Sequence, residues 1–315
     1  MTDDPAVGAA IDLGSNSVHL VVARIDGHVL VPLVDESAFL GLGAAVDGGS
    51  ALGVTATQRL VDTLGGYAGT ARALGAATIT LLGTEPIRRA ADAGRVVLAV
   101  EAGTGLPLSV LSHEEEAWLT LIGVTGGAPV RHETLVVDIG GGSSEFCAVG
   151  PGTTPRAVGL RIGSQRLTVR VGPANPPSPA DFTALRDAAR DALRAAFDDR
   201  PREVRLVGGT ASNLLKVAPG GREDPVLTRE RLAGAIDRIG ATPAATLVEQ
   251  DGVNPVRATL MAAGAILVEA ILDRYRVDVA TVSEAGLREG AILVADHAGR
   301  DWRDQLTRLA HGWRT

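Results

Sequence analysis

Two short turns carry the densest chemistry in this chain. Asp12-Leu-Gly14 runs into Ser15, Asn16 and Ser17, and Asp138-Ile-Gly140 runs into Gly141, Gly142, Ser143 and Ser144. Glycine lets a backbone approach a ligand and lets successive N–H groups aim at one anion. The aspartate beside each turn is a hard, acceptor-only donor of the kind that magnesium or its water shell takes. Either turn alone also reads as an ordinary hairpin, since Asp, Asn, Ser and Gly are the usual turn residues. Their recurrence 126 residues apart favours phosphate binding between two lobes. Gly208-Gly209-Thr210 reads in two ways: a further phosphate contact at a helix N-terminus, or a tight strand-to-helix turn.

Glu114-Glu115-Glu116 opens a helix, where carboxylates complement the positive dipole end. Glu116 differs from its neighbours in flanking the apolar stripe, three residues before Leu119. A half-buried carboxylate beside a phosphate site can act as a general base. Arg88-Arg89 follows a predicted strand, and Arg161, Arg166 and Arg170 follow the second glycine turn. Their forked donors suit phosphate oxygens. With Lys216 the sole lysine, however, arginine must also supply the solvated surface charge.

These residues need elements to hold them. Ala9–Leu13 and Val18–Ile25 read as strands around the first turn. A helix is expected near 55–74, opened by a Thr55/Gln58 capping box and carrying Leu60, Leu64, Tyr67, Ala71 and Leu74 on one face. Thr78–Gly83 reads as a buried strand. Ser112 with Glu115 caps the next helix, and Ser178-Pro179 opens another. The return of the opening pattern near residue 134 suggests duplication of one supersecondary unit. Alternating strands and helices then imply an α/β architecture. The expected division is 1–124 and 125–295, with the tail after Gly290 packing back on the first lobe through Ile292, Leu293, Leu306, Leu309, Trp302 and Trp313, its last helix lying over about 296–315.

Composition narrows the function. The 315 residues are 45% hydrophobic and 21% charged, an ordinary globular balance. The net charge of -7 argues against general nucleic-acid binding, although a local arginine cluster can still take a polyanion. No Gly-Lys-Ser/Thr tripeptide occurs, so a P-loop is excluded, and no His-x-x-x-His pair offers a helical zinc site. No apolar run approaches the roughly 20 residues that cross a bilayer. One cysteine, Cys147, and an acidic N-terminus without a signal pattern point to the cytoplasm.

The chain resembles the exopolyphosphatase and guanosine pentaphosphate phosphohydrolase (Ppx/GppA) family. The resemblance rests on Ala9–Ala23, Glu115-Glu-Ala117, Val137–Glu145, Val207-Gly-Gly-Thr210 and Gly286-Leu-Arg-Glu-Gly290, in the expected order over residues 8 to 294. It implies a duplicated, two-lobed actin/Hsp70/sugar-kinase-like fold with an active-site cleft between the lobes. It also implies magnesium-dependent removal of the terminal phosphate of inorganic polyphosphate, or conversion of pppGpp to ppGpp. By position, Glu116 would orient or deprotonate the attacking water, and Arg88 would offset charge as the bond breaks. Asp12 and Asp138 would hold the metal, with Glu145 in support. Gly14 to Ser17, Gly140 to Ser143, Arg166, Gly209 and Thr210 would hold phosphates. Three departures favour short polyphosphate or a nucleotide: Trp118 where relatives carry Arg, Glu85-Pro86 before Arg88, and no HD-type domain before the chain stops at Thr315. An ATP-driven switch, an inactive polyphosphate or alarmone sensor and a homodimer are the remaining expectations.

Overall fold

The computed structural model describes residues 6–27 and 29–314; the ends of the expected lobe and tail, residues 1–5 and 315, fall outside the described residues. The chain divides into two units, Met1–Pro129 with Ala285–Thr315, and Val130–Glu284.

The first unit holds β1 (Val7–Leu13), β2 (Ser17–Asp26), β3 (Val29–Phe39), α1 (Leu42–Gly49), α2 (Gly53–Ala73), β4 (Thr78–Gly83) and α3 (Glu85–Arg89). It continues with α4 (Ala93–Thr104), β5 (Leu108–Val110) and α5 (His113–Thr125). The second unit holds β6 (Thr134–Ile139), β7 (Ser144–Val149), β8 (Arg156–Leu160), α6 (Ser164–Val171), α7 (Pro179–Ala192) and β9 (Glu203–Val207). Then come α8 (Gly209–Val217), β10 (Val226–Thr228), α9 (Arg229–Ala241), α10 (Ala244–Asp251), α11 (Pro255–Ala258), α12 (Met261–Tyr275) and β11 (Val279–Val282). The last helices, α13 (Leu287–Ala298) and α14 (Trp302–Leu309), return to the first unit.

The sheets repeat one plan. In the first unit the order is β3-β2-β1-β4-β5, antiparallel on the hairpin side of β1 and parallel on the other. The second runs β10-β11-β9-β6-β7-β8, so β8-β7-β6-β9-β11 reproduces the first, with β10 added at the edge. A central strand of such a sheet is covered on both faces and therefore apolar throughout. Thus Ala9, Ile11 and Leu13 of β1 join the cluster with Leu60 and Leu64 of α2. Ala10, one residue on and so on the opposite face, packs with Leu119 of α5 and Ile292 of α13. In the second unit the apolar α12 is buried along nearly its whole length, which explains the long apolar run there.

The chain re-enters the first unit at Ala285, where α13 packs on β1 and on α5. Trp302, Leu306 and Leu309 of α14 extend the same apolar layer. Helix α2 starts at Gly53 with no side-chain cap from Thr55. Its first N–H groups are taken instead by Asp92, whose carboxylate accepts from Leu52 at 2.8 Å and from Gly53 at 3.0 Å. By contrast, Ser112 and Glu115 form the reciprocal cap of α5, and Ser178 with Asp181 that of α7.

Asp92 carries a prediction. Burial alone would raise its carboxyl, but the two backbone N–H groups and the nearby Arg95 outweigh burial and hold it below its usual value. A depressed carboxylate contributes stability above its unfolded pKa, and that contribution is lost as pH falls through the folded one, here below about pH 4. Asp92→Ala should cost about 2–4 kcal/mol at neutral pH, because two N–H groups lose their acceptor. Its stability should also fall less than wild type's on acidification. Denaturant titrations at pH 7 and pH 3.5 check both.

Candidate phosphate and catalytic site

The first unit's turn is closed by Gly14, whose N–H donates to the Ser17 carbonyl at 3.1 Å. The second unit's turn closes identically, Gly140 N–H donating to Ser143 at 3.1 Å. In both, a Cβ on the glycine would fall 3.1 Å from that carbonyl oxygen, a tight contact that favours glycine. Register carries the duplication further. Asp12 stands opposite His19 in the first hairpin and Asp138 stands opposite Glu145 in the second. The turns are therefore copies in backbone, but the second copy has a carboxylate where the first has an imidazole.

In the first turn, the carbonyls of Ser15 and Asn16 face the protein, accepting from Gly43, Leu40 and Gly41 at 2.8 to 3.1 Å. Asn16 is buried and its side-chain amide nitrogen has no hydrogen-bond partner. A buried donor left over in a turn of N–H groups suits an anion. The Ser15 hydroxyl, an expected phosphate donor, gives its proton to Glu85 at 3.2 Å. Glu85 in turn accepts from Arg89 Nε at 2.8 Å and is 4% exposed, so its charge is paired inside the unit. Trp118 packs against the apolar layer shared with α13.

Glu116 and Arg88 meet. The strand β4 ends at Gly83, Thr84 ties back to the Leu13 carbonyl at 2.9 Å, and the short α3 then points Arg88 toward the start of α5. Arg88 Nη1 donates to the Leu111 carbonyl at 2.5 Å and to Glu116 Oε2 at 3.1 Å. Glu116 is 6% exposed, whereas Glu114 is exposed and Glu115 is spent on the cap and on Arg303 of α14. His113, the first residue of α5, lies beside the same guanidinium: Nη2 is 3.0 Å from its Nδ1. Burial, then the Arg88 charge, holds its imidazole below the ordinary value.

In the second unit, Arg166 braces the turn. Its N–H donates to Gly141 and its Nε to Gly142, at 3.0 and 2.9 Å. Thr210 is buried at the start of α8 and donates to Ser164 at 3.3 Å. Gly208 adopts φ +94°, and a Cβ there would strike Asp138 Oδ1 at 2.6 Å. A Cβ on Gly209 would fall 2.3 Å from Cζ of Arg257. Arg257 thus lies on the glycine turn, within the field of Asp138, and its buried Nη1 has no hydrogen-bond partner. Sequence reasoning missed it, because a single Arg after Asn254-Pro255-Val256 carries no local signal. It missed His113 for the same reason. Asp12 in the first unit, and Asp138 opposite Glu145 in the second, are each carboxylates of the hard kind that magnesium takes.

The Ppx/GppA phosphatase family model matches residues 21–297. The chain belongs to the Ppx/GppA phosphatase family. It is 31% identical over 300 residues to exopolyphosphatase 1 of Mycobacterium leprae, covering 90% of this chain and 87% of that one. It is also 31% identical over 314 residues to an uncharacterised protein of Streptomyces coelicolor, covering 95% and 93%. Among solved structures, the Aquifex aeolicus Ppx/GppA family member superposes with a TM-score of 0.81 at 24% identity, over 94% of this chain and 99% of that one. An exopolyphosphatase from Cytophaga hutchinsonii gives 0.78 at 23%, over 90% and 96%. The fold of this Ppx/GppA phosphatase is accordingly the duplicated actin/Hsp70-like one. Among the described residues no helix is long and apolar enough to cross a membrane.

Proposed function

We propose that this protein is a magnesium-dependent exopolyphosphatase, which hydrolyses the terminal phosphoanhydride bond of inorganic polyphosphate. The observation that carries the reading is the Glu116–Arg88 pair, a buried carboxylate held 3.1 Å from a guanidinium at the mouth of a capped helix. Glu116 orients the attacking water and takes its proton. Arg88 offsets the charge that accumulates on the transferring phosphoryl group. The bond from water oxygen to terminal phosphorus forms as the bridging P–O bond breaks, and the electron pair leaves with the shortened chain. Gly14 to Ser17, Gly140 to Ser143, Arg166, Gly209 and Thr210 cradle the phosphates, mostly through backbone N–H groups. Asp12, Asp138 and Glu145 would be the carboxylates to hold magnesium, which would supply charge neutralisation of the anhydride oxygens. The relative's name, exopolyphosphatase 1, supports the polymer over the nucleotide.

The test is phosphate release from short polyphosphate, long polyphosphate, pppGpp and ATP, with magnesium and with a chelator. Turnover of polyphosphate that stops on chelation is the expected result. Release from pppGpp alone would replace the polymer by the nucleotide. No release from any of the four would overturn the reading.

A further inference from the structure

The first turn of α5 is clamped by a residue of the last helix. Arg303 of α14 forks onto Glu115, its Nε 2.5 Å from Oε1 and its Nη2 2.8 Å from Oε2. The same Nη2 donates to the carbonyl of Val110, the last residue of β5, at 2.8 Å. Glu115 meanwhile accepts the Ser112 N–H at 2.7 Å, and Ser112 caps the helix. Burial would raise the Glu115 carboxyl, but Arg303 and that N–H outweigh burial and hold it below its ordinary value. One guanidinium therefore ties the end of a strand to the start of a helix across Leu111 and Ser112. Both acceptors of Arg88 ride on this tied segment. Arg303 holds Val110 and Glu115, and Arg88 Nη1 donates to Leu111 and Glu116, in each case the next residue along.

We propose that Arg303 is a positioning residue, which sets where Leu111 and Glu116 stand and, through them, where Arg88 meets the reacting phosphoryl group. The proposal rests on the reading of Arg88 and Glu116 as the reacting pair. A partly exposed ion pair adds little to stability. A bidentate fork shared with a backbone carbonyl does something else, because it fixes geometry as well as charge. Without the fork, Val110 and Glu115 lose their common tie and the connection between them can shift. A displacement of about 1 Å in reacting groups costs up to roughly 100-fold in rate. The last helix thereby takes part in the reaction without touching the substrate.

The test compares Arg303→Met with Arg308→Ala in the whole chain, each assayed well below its unfolding temperature. Met keeps an unbranched stem without the donors, and Arg308 is an exposed residue of α14 bonded to Gln305 of the same helix. On the anhydride that wild type prefers, Arg303→Met should lower kcat roughly 10-fold. Its KM should stay within about twofold, since ground-state binding is not the interaction removed. Arg308→Ala should change neither. Glu115→Ala tests the route: once Glu115 is gone, adding Arg303→Met should cost less than about twofold more. A wild-type kcat in Arg303→Met, or losses that multiply in the double variant, would overturn the proposal. A second readout does not need turnover. Amide hydrogen exchange over residues 110–116 should quicken several-fold in Arg303→Met while α2 keeps its wild-type rate. An unchanged rate over 110–116, or a uniform rise that includes α2, overturns the proposal. If wild type releases no phosphate, the hydrolase reading fails while hydrogen exchange still decides whether Arg303 fixes this segment.

Discussion

Glu116→Gln should lower kcat for phosphate release by about 10²- to 10⁴-fold, the usual worth of a positioned general base. The substitution preserves volume, and its amide oxygen can still accept from Arg88, now 3.1 Å from the carboxylate. What is lost is the group proposed to take the proton from water. KM for the anhydride should therefore change little, which separates loss of chemistry from loss of binding. Glu114→Gln is the control: that carboxylate is exposed at the same helix end, and its variant should keep wild-type turnover. Steady-state kinetics on both variants decide the matter. A Glu116→Gln enzyme within threefold of wild type would remove Glu116 from the mechanism.

Gly290→Ala should unfold the first unit far more readily than any surface change. The helices α5 and α13 cross with their backbones in contact. A Cβ at Gly290 would fall 1.9 Å from the Leu119 carbonyl oxygen, and one at Gly123 would fall 1.9 Å from that of Gly286. Both obstacles are backbone, so no side chain can rotate away and the helices must separate. The layer beneath them contains Ala10, Leu119, Leu287 and Ile292, all tightly buried. The cost should be about 3 kcal/mol or more, at the upper end of overpacking penalties. For a unit of this size that is roughly 6–12 °C in Tm. Gly66→Ala is the contrast: it lies in α2 with nothing within 4 Å of the added carbon, and should be neutral or gain up to about 1 kcal/mol. Calorimetry on the two variants tests this. Because α5 also carries Glu116, Gly290→Ala should lose activity below its unfolding temperature as well.

The two glycine turns were legible in the sequence because each is written in consecutive residues, and the repeat of Asp-x-Gly announced a repeated hairpin. The Ser112 and Ser178 caps were legible for the same reason, donor and acceptor lying three residues apart. What escaped is what the chain assembles from a distance. Helix α2 takes its cap from Asp92, a residue 40 positions on, so Thr55 looked like the better candidate. Arg257 reaches the Gly209 turn from a short helix whose own sequence resembles any surface segment. Ser15 reads as a phosphate donor from its place beside the glycine turn; its hydroxyl's hydrogen bond to Glu85, 70 residues away, had no local signal. The apolar Ile292 and Leu293 of the tail pointed back to the first unit, but the bare backbone of Gly290 against Leu119, where α13 meets α5, had no local signal.

The tail's return to the first unit has a consequence for synthesis. The first unit is interrupted in the chain by Val130–Glu284, and its apolar layer is completed only by Leu287–Leu309. On the ribosome the second unit is continuous and can close as soon as residue 284 emerges, whereas the first must wait, with Ala10, Val21 and Leu119 uncovered, until the last helices arrive. Nascent chains halted near residue 284 should therefore be the form most prone to aggregate or to engage chaperones.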